Sequence, residues 1–388
     1  MRLARRVSNI TSSVTLDITS KAKAMAAKGA DVVSFGAGEP DFDTPSHIKD
    51  AGIKAIQSGF TKYTASSGTP DLREAISRKF KSDNGLDYMP QQIVVSGGAK
   101  HSLYNIFQAI IDDGDEVIIP SPFWLSYPEM VKLAGGIPVY ADTKAENSFK
   151  ATEKDITAKI TKKTKALILN SPSNPTGCVY GKAELEMIAR LAVKHKFFVI
   201  SDEIYEKLIY DGKKHTSIAS LGKDIYDLTL TVNGVSKSYS MTGWRIGYAA
   251  GPLNVMQAIS NLQSHATSNA TSFCQKATVE AISGDQKCIE DMRKAFEARR
   301  NLMVDMISKM KKITCVRPEG AFYVFCDISQ LKMNSVTFAT RLLDEANVAV
   351  IPGEPFGSPD SIRLSFATSE KNIDKGLSRI EEWIKKNG

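Results

Sequence analysis

The chain has 388 residues, 42% of them hydrophobic and 24% charged, with a net charge of +7 and a pI near 8.9. That length suits two domains or one large α/β unit, and the composition is that of an ordinary globular protein. The lysines are dispersed, with no block of like charges and no interleaved aromatic residues, so the basic balance reads as a solvated surface and excludes a nucleic-acid interface. No apolar run approaches the roughly 18 residues needed to cross a membrane. The cysteines (Cys178, Cys274, Cys288, Cys315 and Cys326) are odd in number and form no CxxC pair. They indicate neither a disulfide framework nor a zinc knuckle, and a reducing, cytoplasmic compartment fits them best. The histidines include no HExxH pair, so no metal site is expected.

In chain order, the opening MRLARRVSNITSSV is basic, hydroxyl-rich and free of acid until Asp17. It lacks the apolar core of a secretion signal and reads as an arm packed on the body or on a partner subunit. Leu16 to Lys28 suits a helix ending at Gly29. Asp31 to Phe35 reads as a short strand running into the loop GAGEPDFDTP, and His47 to Gly59 as an amphipathic helix. Then strands alternate with helices. The strands are Gln92 to Ser96, Glu116 to Pro120, Ala166 to Asn170, Phe197 to Ser201 and Leu228 to Val232. The helices are His101 to Ile111, 182–195 and 252–263. These short, continuously apolar strands mark a mostly parallel sheet covered on both faces, hence an α/β fold. Beyond 285 the pattern changes to a long charged helix (Asp285 to Lys311), strands at Ala321 to Cys326, Val348 to Ile351 and Ser361 to Phe366, and helices near Val336 to Ala346 and at the end. The expected division is an arm with part of a small domain (1–45), a large domain (46–284) and a small α+β domain (285–388).

Ligands of parallel sheets bind beyond the carboxyl ends of the strands. There the sequence places Asn170 with SPSNPTG, Asp202 with Glu203 and Tyr205, Gly97-Gly98-Ala99-Lys100, and Asn233 to Lys237. Each has a plainer reading: Asp202 as a helix cap, SPSNPTG as a tight turn, Lys237 as a surface lysine, Gly97-Gly98 as a helix start. Together they suit one chemistry. A pyridoxal cofactor needs an amine for its aldehyde, an anion beside its pyridine nitrogen and a cradle for its phosphate.

NSPSNPTG, SDEIY and NGVSKSYSMTGWRIGYAAGP, in this order and spacing, resemble the fold-type I, class I and II aminotransferases, and most closely their bacterial-type (subgroup Ib) aspartate aminotransferases. AGEPDFDTP, KYTASSGTPDLREAI, GGAKHSLYNIFQAI, GAFYVF, VIPGEPFG and IRLSFATS extend the resemblance over nearly the whole chain. It implies a mostly parallel seven-stranded sheet between helices, pyridoxal 5′-phosphate as cofactor and a homodimer with shared sites. It implies that Lys237 joins the cofactor aldehyde, that Asp202 pairs with the pyridine nitrogen, and that Tyr205 and Asn174 hydrogen-bond the ring hydroxyl. Trp124 would stack on the ring. Gly98, Ala99, Lys100, Ser236 and Arg245 would surround the phosphate, reached also by Tyr63 of a neighbouring subunit. Arg363 and Gly38, helped by Asn174, would bind the substrate α-carboxylate, and Lys100, Ser13 and Thr15 its distal carboxylate. Arg363 has support of its own, because an arginine in the apolar strand SIRLSF is costly without an anion. One departure is that many relatives carry a serine where Gly234 stands here, leaving Ser236 as the nearby hydroxyl. The implied reaction is ping-pong amino transfer between aspartate and 2-oxoglutarate. Prephenate or aromatic transamination on the same scaffold is the alternative, and a Cβ lyase or a non-catalytic regulator a more distant one.

Overall fold

The computed structural model describes Ala4, Val7 and residues 14–387. The N-terminal helix α1 (Val14–Ala27) leads into β1 (Val33–Ser34), then α2 (Ser46–Gln57) and α3 (Pro70–Asn84). There follow β2 (Ile93–Ser96), α4 (Ala99–Ile110), β3 (Glu116–Ser121), α5 (Ser126–Leu133), β4 (Ile137–Asp142), β5 (Thr164–Asn170), α6 (Lys182–His195), β6 (Phe198–Asp202), β7 (Thr229–Gly234) and β8 (Gly247–Ala250). Helices α7 (Leu253–Ala266), α8 (Ser272–Ser283) and α9 (Lys287–Ser308) lead to β9 (Thr314–Cys315) and β10 (Tyr323–Asp327). The chain closes with α10 (Ser335–Ala346), β11 (Val348–Ala349), β12 (Ile351–Pro352), β13 (Ser361–Ser365) and α11 (Glu370–Asn387).

The central sheet has seven strands in the order β2-β8-β7-β6-β5-β3-β4. All its pairings are parallel except those of β8, which runs antiparallel to both β2 and β7. Two reversals restore direction, so β2 points the same way as β7 and its carboxyl end lies on the same edge. The continuous apolar runs are explained by cover on both faces. Val117 and Ile119 pack in one core cluster while Ile118 packs in another, and Ile168 is likewise separated from Leu167 and Leu169. Alternate side chains point to opposite faces of a strand, so each face needs its own apolar layer.

A second sheet has four strands in the order β12-β13-β10-β9, all antiparallel. It packs in the largest core cluster with α9, α10 and α11. Helix α11 presents Ile373, Leu377, Ile380 and Ile384 to that core at helical spacing. The sequence run Val348 to Ile351 proves to be two strands in different sheets: β11 pairs in parallel with β1, and β12 joins β13. The segment after α1 is thus fastened to a strand more than three hundred residues later.

Candidate active site

The carboxyl edge of the central sheet opens into a cavity of about 850 Å³. Strands β5, β6 and β7 deliver Asn170, Asp202 and, after a short turn, Lys237 to it. On the β2 side the chain turns at Gly98 with φ +95° and begins α4 at once. The first N–H groups of a helix have no partner within it and carry partial positive charge, so Ala99 and Lys100 open an anion-binding end towards the cavity. Glycine is favoured there by the φ of +95°, and a Cβ on Gly98 would also press on the Arg245 guanidinium, 2.5 Å from Nη2. A Cβ on Gly247 would lie 2.0 Å from the Ala99 nitrogen, so this part of β8 is glycine to let the helix start approach. Arg245, itself at φ +57°, is held by hydrogen bonds donated to the carbonyls of Thr242 (2.7 Å) and Gly97 (3.3 Å).

Asp202 is 3% exposed. Its Oδ2 accepts a hydrogen bond from the Tyr127 hydroxyl at 2.7 Å and its Oδ1 one from the Ile204 N–H at 3.3 Å. No helix follows β6 here, so Asp202 is not a helix cap. Burial raises its pKa to about 6, against the lowering effect of the Tyr127 hydroxyl. The Lys237 amine donates to the Gly38 carbonyl at 2.6 Å. Burial lowers its pKa to about 8, against the pull of the Glu39 carboxylate. At neutral pH a modest change of surroundings therefore frees its lone pair.

Arg363 stands on β13 opposite Phe325 and is 3% exposed. It donates to Asn174 Oδ1 at 3.0 Å and to the Gly36 carbonyl at 3.3 Å, and its guanidinium lies 4.3 Å from the Tyr323 ring centre. Its Nε has no partner, and among the described residues no carboxylate lies within ion-pairing distance. A buried guanidinium that faces a cavity and has no acidic partner among the described residues can take a carboxylate. Lys100, an exposed residue, holds its ammonium 4.7 Å from the Trp124 ring centre, and desolvation there with the nearby Arg245 lowers its pKa.

Gly38, Ala99, Lys100, Trp124, Asn174, Asp202, Tyr205, Ser236, Lys237, Arg245 and Arg363 all line this one cavity, with Gly98 at its rim as the residue before α4. Tyr63 does not line it, and its side chain is 88% exposed. Ser13 lies outside the described residues, as does the side chain of Thr15 in the first turn of α1. Sequence reasoning missed Tyr127, Tyr323 and Glu39. Tyr127 follows Trp124 by three residues and meets it edge-on at 5.2 Å, a spacing that could have exposed it. Tyr323 shares a 3.0 Å hydroxyl–hydroxyl hydrogen bond with Tyr205, and Glu39 accepts one from Thr242 Oγ1 at 2.7 Å. Neither contact spans fewer than about a hundred residues, so no local pattern announces it.

A profile of the family described as aminotransferase class I and II matches residues 30–380. An aspartate aminotransferase of Bacillus sp. (strain YM-2) is 52% identical over 388 residues, covering 99% of each chain. A probable aspartate/prephenate aminotransferase of Aquifex aeolicus is 47% identical, covering 98% of each. The solved aspartate aminotransferase of Thermus thermophilus with maleate superimposes with a TM-score of 0.94 at 45% identity, covering 98% of this chain and 100% of that one.

Proposed function

The chain belongs to the class I and II aminotransferase family, and from that premise we propose that it exchanges amino groups between aspartate and 2-oxoglutarate with pyridoxal 5′-phosphate. The observation that carries this reading is the pairing of a buried carboxylate, Asp202, with a partly buried amine of lowered basicity, Lys237, in one cavity. The residues present fit the cofactor. Asp202 answers a protonated ring nitrogen, and the α4 start with Arg245 and Ser236 answers a phosphate. The cradle is one that a Cβ on Gly98 would fill.

When bound, pyridoxal phosphate supplies an electron sink conjugated to the substrate Cα. Lys237 would supply the amine that holds the cofactor aldehyde, and its free amine would carry the substrate Cα proton as general base. Asp202 keeps the proton on the ring nitrogen, and Tyr127 holds Asp202 in place. Asn174 and Tyr205 offer hydrogen bonds to the ring hydroxyl, and Trp124 a stacking face. Arg363 and the Gly38 loop take the α-carboxylate. Residues 46–284 form the cofactor-binding body, 285–388 the smaller domain, and 1–45 an arm joined to it. The highly exposed Tyr63 suits a residue that completes the site of a second copy. Among the described residues no helix is long and apolar enough to cross a membrane, and we place the protein in the cytoplasm.

Lys100 favours dicarboxylates. Its ammonium has no carboxylate within ion-pairing distance among the described residues, and the Thermus relative was solved with maleate, a dicarboxylate. The relatives named for both aspartate and prephenate support prephenate as the alternative acceptor, an oxo acid that carries two carboxylates as well. A donor panel assayed against 2-oxoglutarate and oxaloacetate tests the assignment. Aspartate should be preferred over phenylalanine, and Lys100→Ala should cost aspartate about 2–5 kcal/mol in kcat/KM while barely changing phenylalanine. Equal losses for both donors would assign Lys100 to the phosphate instead.

A further inference from the structure

Strands β9 and β10 run antiparallel at the edge of the four-stranded sheet, with Cys315 directly opposite Cys326 and Thr314 opposite Asp327. Directly opposed side chains place their Cβ atoms about 4.5–5.5 Å apart, close to the roughly 3.5–4.5 Å that a disulfide needs. The two thiols influence each other's ionisation, and both are reduced. They differ in access, since Cys326 is fully buried and Cys315 only partly so. The Cys326 thiol beside it holds the Cys315 thiol below its ordinary pKa, while Cys315 and burial push that of Cys326 well above it. An accessible thiol that ionises first, backed by a buried thiol within reach, is the arrangement of an attacking and a resolving cysteine. Cys288, also partly accessible, has its pKa raised by burial, and its thiol faces the Asp285 carbonyl at 3.8 Å.

We propose that Cys315 and Cys326 form a reversible oxidation site that takes a hydroperoxide to a disulfide. The Cys315 thiolate attacks one peroxide oxygen and the O–O bond breaks. The departing hydroxide takes a proton to become water, leaving a sulfenic acid on Cys315. The Cys326 sulfur then attacks the Cys315 sulfur and expels hydroxide, which takes the Cys326 proton and leaves as a second water. Two thiols are oxidised and one peroxide is reduced. A dithiol reverses the step by exchange and is itself oxidised to a disulfide. Successive side chains on β10 face opposite ways. Cys326 belongs to the helix-covered core, whereas Phe325, paired with Arg363, packs in a separate cluster with Ile351 and Phe356. The cross-link therefore forms on the sheet face away from the cavity, and amino transfer continues in the oxidised protein.

The test exposes the cofactor-loaded protein to hydrogen peroxide, then unfolds it, alkylates the free thiols and maps them by mass spectrometry. Cys315 and Cys326 should lose their label together, with a mass decrease of two hydrogen atoms, and dithiothreitol should restore both. Oxidation of Cys288 ahead of the pair, or loss of label at Cys315 alone, would overturn the proposal. In Cys326→Ser the resolving thiol is gone, so Cys315 should proceed to the sulfinic acid, and a Cys315 that stays reduced would also overturn it. Should that variant fail to fold, the labelling of the parent protein decides alone. Inactivation in step with the mass change would overturn the far-face placement.

Discussion

Lys237 and Asp202 show how burial sets chemistry before any ligand arrives. The Asp202 carboxyl titrates near 6 in the folded chain against 3.8 when exposed. Between those values the folded protein holds a proton that the unfolded chain has lost, so stability falls as pH rises through that window. Above it the ionised carboxylate costs about 3 kcal/mol, a ceiling set by about 1.4 kcal/mol per pKa unit. Asp202→Asn in cofactor-stripped protein should therefore unfold at higher urea than the parent at pH 7.5, with the gap narrowing towards pH 5. Turnover should move the other way and fall about 10²-fold or more, because an amide cannot hold the ring nitrogen protonated. Tyr127→Phe removes a donor from the buried carboxylate and should raise its pKa further, at a cost of about 1–3 kcal/mol. A cofactor band whose pH profile is unchanged in this variant would remove Tyr127 from the site. Lys237→Ala should lose at least about 10²–10⁴-fold in turnover and the yellow, pH-dependent absorption. Retained turnover would end the reading altogether.

At the scale of elements, the site is a set of strand ends, and that much was legible in the sequence. Apolar runs of four to six residues stop at Asn170 and Asp202, or just short of Gly98 and Lys237, because the sheet edge is where apolar cover ends and a cavity begins. What the runs did not reveal were β4 and β8, the latter because its four residues GYAA carry neither the length nor the branched side chains of a strand. Strand β8 is held by antiparallel pairing with β2 and β7 on either side, and Gly247 lets the α4 start approach it closely. Helix α3 also went unread, although Pro70 at its first turn and Gly85 in the left-handed region at its end bracket it plainly. Gly247→Ala should push the Ala99 N–H out of place. Cofactor affinity, followed by fluorescence on dilution, should weaken at least about tenfold, as expected from losing one or two charge-assisted hydrogen bonds. Unchanged affinity would separate this helix start from the phosphate.

For the whole molecule, the open question is completion of the site by a second copy. Tyr63 stands in solvent on a chain whose other large aromatic residues are mostly buried. Mixing Tyr63→Phe or a stronger substitution with Lys237→Ala should restore part of the lost activity in hybrid dimers, measured after refolding the two together. An active monomer would exclude shared sites. Such long-range facts were not legible in the residues themselves. Tyr205 meets Tyr323, and Arg363 meets Gly36, across separations that only the folded chain closes.

The parallel pairing of Val33 with Val348 carries a consequence for synthesis. The partner strand leaves the ribosome 315 residues after β1 (348 − 33), roughly 15–60 s later at ordinary elongation rates. Through that interval Phe35, fully buried in the finished protein, has no core to enter. The loop that presents Gly38 to Lys237 is likewise unfixed, so a nascent chain stopped before residue 348 can build its central sheet and still lack a substrate site. Ribosome-bound chains arrested at residue 340 should therefore be cut by protease near β1 while the central strands resist, and chains released at full length should resist at both.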